Sequence, residues 1–402
     1  MTGTWCGELE LSTGAVDGVV PRGAQERARI LVRLHGDPLG YVPSALPLDV
    51  AAVTAEAGER FADRIAQVEA DDRTAPADDL VSVVVCTRNR AVQLVSCLDR
   101  LARLTYPRLE ILVVDNAPTD DSTREVVAAV AARDPRFRYV LESRPGLSRA
   151  RNAGLAAATG RYLAYTDDDV AVDPRWIEGL LRGFGRAPDV GCVTGLVATA
   201  DIAGAAEEYF DARAASWSTR CEPLLFAVDG PGSEDPLFPY SPGVFGTGAN
   251  LAFDRDMLVE LGAFDEALGA GTRTRGGEDL DIFVRVLRAG RSLAYEPAAV
   301  VWHHHRADRE ALLGQMFGYG TGLSAFLTKC LLQRDTRREL LGRVPLGLRR
   351  MAGIRSTTRE RLTEPAAAPR GALLREFLGF GAGPLLYLQA RRALRTAPGG
   401  RA

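Results

Sequence analysis

Short apolar blocks separated by polar breaks run through the middle of the chain. Residues 80–86 are a β-branched run with polar residues on either side, the pattern of a strand buried on both faces of a sheet. Beyond Thr87-Arg88-Asn89-Arg90, Leu94, Leu98 and Leu101 recur at helical spacing. The alternation then repeats. A strand over 110–114 closes on Asp115-Asn116, a helix is capped within 119–123, a strand covers 137–141, and a helix is entered through 146–154 and ends near Gly160. The apolar, aromatic run over 161–166 predicts a fourth strand, which stops at Asp167-Asp168-Asp169. A helix over 176–184 and strands over 190–195 and 295–302 continue the series. Strands alternating with helices predict an α/β domain on a mostly parallel sheet covered on both faces.

The flanks read differently. In residues 1–78, Arg29 to Leu34 predicts a strand ending in the turn His35-Gly36-Asp37-Pro38, and Val53, Ala57, Phe61, Ile65 and Val68 fall on one helical face. Residues 71–79 are polar and broken by Pro76, a linker pattern. Residues 79–309 hold the strand–helix series. Within them, 205–242 reads as irregular, rich in aromatics, glycine and proline, and loops of that length are usually functional. Residues 310–402 are helical and Arg-rich. Leu312, Met316, Tyr319 and Leu323 fit a helix that Gly318, Gly320 and Gly322 weaken.

Composition narrows the class. The apolar share of 46% and charged share of 25% are those of a soluble globular protein. A formal charge of -3 gives no case for nucleic acid as a partner. Six scattered cysteines without a CxxC pair suit a reducing compartment. The N-terminus lacks a signal-peptide pattern, and no apolar run is long enough to span a bilayer, so a cytoplasmic protein is expected. Arg370, Arg375, Arg391, Arg392 and Arg395 flank apolar clusters at 373–378 and 385–388. Such a stretch packs on its own domain or a partner, or lies peripherally on an anionic membrane at its inner face.

The chemistry gathers at strand ends. Thr87-Arg88, Asp115-Asn116 and the acidic triplet each follow a strand, and open α/β sheets bind ligands beyond the carboxyl ends of their strands. Three adjacent carboxylates repel one another unless a hard cation joins them, and Mg²⁺-like ions take carboxylate oxygens and leave positions for phosphates. The triplet also reads as a solvated turn before Pro174. No GxxxxGK[ST] or GxGxxG phosphate motif is present. Glu278-Asp279 opens a helix whose face is Leu280, Phe283, Val284 and Leu287, where carboxylates also favour the helix dipole. On a strand ending at His303-His304-His305, His303 and His305 point together and His304 away.

The succession Val83 to Arg90, Val113 to Asn116, Ala150-Arg151-Asn152-Ala153-Gly154 and Thr166-Asp167-Asp168-Asp169 resembles a family 2 glycosyltransferase over roughly residues 80 to 305. The resemblance implies a GT-A fold, a Rossmann-like mixed, mostly parallel sheet flanked by helices, here with an N-terminal extension and a C-terminal helical segment. It implies inverting transfer from a nucleotide-diphosphate sugar, by family habit a UDP-sugar with GDP and dTDP donors open, and a divalent metal, Mn²⁺ or Mg²⁺. The metal ligands it implies are Asp169, Asp167 and His303, with Asp168 at the ribose. Thr87, Arg88 and Asp115 would hold base and ribose, with Arg151 near the nucleotide. Asp279 is the implied general base, Glu278 an acceptor contact or orienter, and Gly248 and Asn250 flank the acceptor. Acceptors in such families include saccharides, lipid carriers and small molecules, in cell wall or polysaccharide biosynthesis among other settings. Two other classes stand beside this one. A metal-dependent phosphate-ester hydrolase would want Thr or Val where Ala171 stands, and a non-catalytic nucleotide-sugar-binding protein would have no use for Asp279.

Overall fold

The computed structural model describes residues 3–18, 25–70, 78–362 and 369–396. The N-terminal part is a small sheet. Strand β1 (Gly3–Glu10) pairs antiparallel with β2 (Ala15–Gly18) and parallel with β3 (Gln25–Leu34), which pairs antiparallel with β4 (Asp37–Ala45). Helices α1 (Val50–Arg60) and α2 (Ala62–Ala70) bury Val53, Ala57 and Val68 against Leu9, Ile30, Val32 and Val42. The expected strand is the second half of β3, and the expected single helix is broken in two at Phe61. Most of the expected linker, 71–77, lies outside the described residues.

The strand–helix series is present as read. It comprises β5 (Val81–Thr87), α3 (Ala91–Ala102), β6 (Leu109–Asn116), α4 (Ser122–Ala131), β7 (Phe137–Glu142), α5 (Leu147–Ala157) and β8 (Tyr162–Asp167). Next come β9 (Val170–Val172), α6 (Trp176–Phe184), β10 (Val190–Thr199), the two-residue β11 (Asp201–Ile202) and α7 (Ala205–Ser218). The series ends with β12 (Leu224–Phe226), β13 (Asn250–Asp254), α8 (Arg255–Glu260), α9 (Glu278–Arg288) and β14 (Ser292–His303). The sheet order is β12-β14-β10-β13-β8-β5-β6-β7, with β9 beside β14. Alternate side chains of β5 feed opposite cores. Val81, Val83 and Val85 meet Leu94 and Leu98 of α3 and Trp176 of α6, while Val84 meets Ala150 and Leu155 of α5.

The fold bears out a mixed, mostly parallel sheet and corrects one reading. The sheet is parallel across β7-β6-β5-β8 and again at β10-β14, but β13 runs antiparallel between the two halves, so the sheet is mixed. Strand direction depends on how the chain returns from the 219–249 loop, which apolar spacing does not encode. Residues 205–242 are not wholly irregular. Helix α7 escaped notice because it has no one-sided stripe: Ala206, Tyr209, Phe210, Ala212 and Ala214 are all buried. It is covered by several elements at once, and β11 hydrogen-bonds to β1 just before it. Ion pairs of Arg29 with Asp211 (2.7 Å) and Arg33 with Asp173 (2.5 Å) fasten the N-terminal sheet to the segments that follow.

The C-terminal region is three helices, α10 (Arg309–Leu332), α11 (Arg334–Arg361) and α12 (Ala372–Thr396). The glycines that count against a helix at 318–322 are what let α10 lie against α12. A Cβ on Gly320 would collide with the Glu376 carbonyl, and one on Gly379 with the Phe317 carbonyl. Lys329, the chain's one lysine, ties α10 to Asp265 (2.9 Å) in the loop before α9 and to Asp281 (2.8 Å) on α9. The opposite face of α12 exposes Leu374, Phe377, Leu378, Leu385 and Leu388.

Candidate active site

The parallel register sets the polar strand ends side by side. Thr87 aligns with Asp115, and Cys86 with Asp167. Asp115 is buried; the Tyr139 hydroxyl donates to its Oδ2 (3.0 Å), and its Oδ1 has no partner. Desolvation holds its carboxyl above the usual range. A buried acceptor without a donor is costly, so this oxygen is prepared for an incoming N–H or O–H. The Thr87 hydroxyl donates to Asp168 Oδ2 (2.7 Å). Arg90 donates to Asp168 Oδ1 (2.5 Å) and to Asp169 Oδ2 (3.1 Å). Arg88 is exposed at the rim.

Beside these groups opens a cleft of about 560 Å³, lined by Asp167, Asp169, His303, Arg306, Glu278 and Asp279 among others. Asp169 Oδ1 stands 3.7 Å from His303 Nε2, and its Oδ2 is 3.6 Å from Arg306. Burial pushes the Asp169 carboxyl up, but His303, Arg90 and Arg306 outweigh it and hold the group below its ordinary value. Burial lowers the pKa of the His303 imidazole against the pull of Asp169. His303 and His305 do face together, with their Nδ1 atoms 3.2 Å apart, while His304 turns to Asp201 (3.1 Å). Asp167 is raised to about 7, chiefly by desolvation, with 34% of its side chain still meeting solvent.

The opposite wall is the start of α9. Gly277, at φ 91°, makes the left-handed turn that aims the first helical residues into the cleft. Asp279 is half-buried, and its Oδ2 accepts from Gly248 N (3.1 Å). Glu278 lies deeper. Its Oε1 accepts from Arg151 Nη1 (3.1 Å), and its Oε2 is buried without a partner. Desolvation first and the neighbouring Asp279 second raise Glu278 to about 7.

Among the described residues no group of three or more His, Cys, Asp or Glu is placed to hold a metal ion. What faces the cleft is one carboxylate and one imidazole, with Asp167 near, donors that suit a divalent ion whose remaining positions would come from water and substrate phosphates. An ion at Asp169 and His303 would therefore share its shell with substrate.

One expected position lies elsewhere, and three others are tied into the frame of the site. Asn250 is in the core, not beside an acceptor. Its Oδ1 accepts from Trp176 Nε1 (2.8 Å), and its amide donates to the carbonyls of Leu196 (3.0 Å) and Ala299 (2.7 Å). All its polar capacity holds β13 to β10, β14 and α6. Arg151 is 2% exposed and lies under the cleft between Glu278 and Asp167, donating also to the Gly248 carbonyl (3.0 Å). It braces the site from below. Thr87 and Asp168 are bonded to each other and to Arg90, so they shape the strand ends as a unit. Arg90 was read only as part of a polar loop, and its link to two of the three aspartates requires the β5–α3 turn. Arg213, Gln315, Tyr319 and Glu376, from α7, α10 and α12, also line the cleft. Nothing local in the sequence connects them.

Residues 82–258 match the family model for glycosyl transferase family 2. The chain is 28% identical over 250 residues to a pre-mycofactocin glycosyltransferase of Mycobacterium tuberculosis, covering 61% of this chain and 47% of that protein. It is 26% identical over 247 residues to a glucosyl-dolichyl phosphate glucuronosyltransferase of Haloferax volcanii, covering 60% and 75%. The chain thus spans about half the length of the mycobacterial relative. Among solved structures it is similar to a mannosyltransferase of Pyrobaculum calidifontis in complex with GDP-Man and Mn²⁺. That similarity has a TM-score of 0.48 and 19% identity, over 85% of this chain and 95% of that one.

Proposed function

We propose that the chain moves a sugar from a nucleotide-diphosphate sugar, a UDP-sugar by first expectation, to an acceptor hydroxyl with inversion at the anomeric carbon. The observation that carries this is the pairing, across one cleft, of Asp169 and His303 on one wall with the solvent-accessible Asp279 on the other. The open Oδ1 of Asp115 accepts a hydrogen bond from the base or ribose, as its unpartnered state favours. Arg90 and Arg306 keep Asp169 ionised, and Arg306, at the cleft edge, is free to approach a phosphate oxygen as well. A divalent ion bound by Asp169 and His303, with Asp167 near, would supply Lewis-acid neutralisation of charge on the leaving diphosphate. Asp279 Oδ2, fixed by Gly248 N–H, takes the proton of the attacking hydroxyl. A single base and direct displacement give inversion. Glu278, braced by Arg151, orients the acceptor side.

Calorimetric titration with UDP, GDP and dTDP, each with Mn²⁺ and again with EDTA, tests this reading. One nucleotide is expected to bind with metal and to weaken by about tenfold or more in EDTA. Equal affinity in both would remove the metal from the proposal, and absence of any binding would remove the donor.

The same proposal extends to a peripheral membrane contact for an otherwise cytoplasmic protein. No helix of the described residues is long and apolar enough to cross a membrane. The support is the exposed row Leu374, Phe377, Leu378, Leu385 and Leu388 on α12, flanked by Arg375 and Arg392. Vesicles containing phosphatidylglycerol should sediment the protein and release the Leu378→Glu/Leu385→Glu variant. Equal sedimentation of both would discard the contact.

A further inference from the structure

The wall of the cleft supplied by the C-terminal helices carries polar groups that the transfer chemistry does not use. Arg213 on α7 donates from Nη2 to Glu376 Oε1 on α12 (2.7 Å). Three further atoms there are buried and without a partner: Arg213 Nε, Gln315 Oε1 and Glu376 Oε2. The Gln315 side chain also reaches the Tyr319 hydroxyl. These residues come from three helices far apart in sequence, and all four line the cleft that holds Asp279. An unpartnered buried polar group is destabilising, so three converging on one cavity are a cost that a ligand would relieve.

Their chemistry specifies the ligand. Glu376 Oε2 and Gln315 Oε1 accept, and Arg213 Nε donates, so the partner must offer both O–H donors and oxygen acceptors within one small molecule. Trp217 and Tyr319 supply an aromatic surface beside them, packed on the buried Phe210 ring at centroid distances of 6.2 Å and 5.9 Å. Polar groups that hold vicinal hydroxyls, set against flat aromatic carbon that packs on C–H faces, match a pyranose ring. A phosphate or other anion would face the Glu376 carboxylate, and a purely apolar chain would leave all three atoms unpaired. Resting on the transferase reading above, we propose that Arg213, Gln315, Tyr319 and Glu376 form an acceptor subsite that recognises a neutral saccharide. The C-terminal helices then set acceptor choice, while the strand ends set the donor.

Saturation-transfer NMR of the full chain with a panel of methyl glycosides of common neutral pyranoses tests the subsite directly, without requiring turnover. At least one glycoside should receive saturation from the wild-type protein. Its dissociation constant should rise about tenfold or more in Gln315→Ala and in the isosteric Glu376→Gln, as loss of a hydrogen bond to a buried or charged group entails. Melting temperature and the calorimetric nucleotide affinity serve as the controls and should stay as in wild type. If no glycoside binds, or both variants bind as wild type does, the subsite is wrong even where nucleotide binding is intact. If glycosides behave as expected but no nucleotide binds, the transfer reading fails and the saccharide site stands. Should Glu376→Gln unfold, the Gln315→Ala measurement decides alone, because Gln315 makes no ion pair.

Discussion

Asp279→Asn is expected to lower sugar transfer by about 10²–10⁴-fold, the contribution of a positioned general base. The amide keeps the size of the carboxylate and can still accept from Gly248 N, so the start of α9 should hold its shape. What it cannot do is take a proton. Nucleotide affinity and melting temperature should therefore match wild type, and the loss should fall on turnover, measured as release of nucleotide diphosphate in the presence of a glycoside acceptor. A variant with near wild-type turnover would exclude Asp279 as the base and turn attention to Glu278, the one other carboxylate on that wall.

The second large effect is structural. Arg151→Met should destabilise the fold by about 3–5 kcal/mol, the usual result of removing one partner of a buried ion pair. Arg151 is 2% exposed, pairs with Glu278 at 3.1 Å and faces Asp167 at 3.7 Å, and its guanidinium lies 5.4 Å from the Phe264 ring centroid. Without it, Glu278 has no cation and, with Asp279 beside it, is driven toward its neutral form. A carboxyl raised in the folded state binds its proton more tightly folded than unfolded. Its favourable contribution is present at low pH and is lost as pH rises from the ordinary value of 4.5 through the folded value, about 7 with Arg151 still present. The deficit of the variant should accordingly be larger at pH 8 than at pH 5, and adding Glu278→Gln should recover part of it. Urea unfolding of wild type, Arg151→Met, Glu278→Gln and the double variant at both pH values measures this. A deficit independent of pH would mean that lost packing, not the stranded carboxylate, is the cause.

The candidate site was legible in the sequence to the extent that strand ends announce themselves. A β-branched run that stops at a polar residue places that residue at a sheet edge, and Thr87, Asp115 and Asp167 are neighbours because parallel pairing aligns those ends. His303 and His305 lie side by side, as alternation predicts, although β14 itself ends at His303. Asn250 was misplaced because a buried asparagine and a ligand-facing one look the same in sequence. The difference lies in three partners, Trp176, Leu196 and Ala299, that only folding brings near. Helix α7 was missed because a helix covered on every side has no polar face to give a period. The glycines of α10 were read as weakness because their use is the close approach of α12, a contact between segments more than fifty residues apart.

The amino-acid order by itself determined the alternating α/β domain, the carboxylates at its strand ends and the helix that Glu278-Asp279 opens. Each is a local pattern, carried by the period of apolar residues. The tertiary structure alone decided which of those carboxylates are tied to arginines and which face the cleft. It also set the direction of β13, the place of Arg151 beneath the site, and the meeting of Arg213, Gln315 and Glu376. Those are outcomes of long-range packing, where burial and the choice of charge partner depend on segments that have no neighbourhood in the chain.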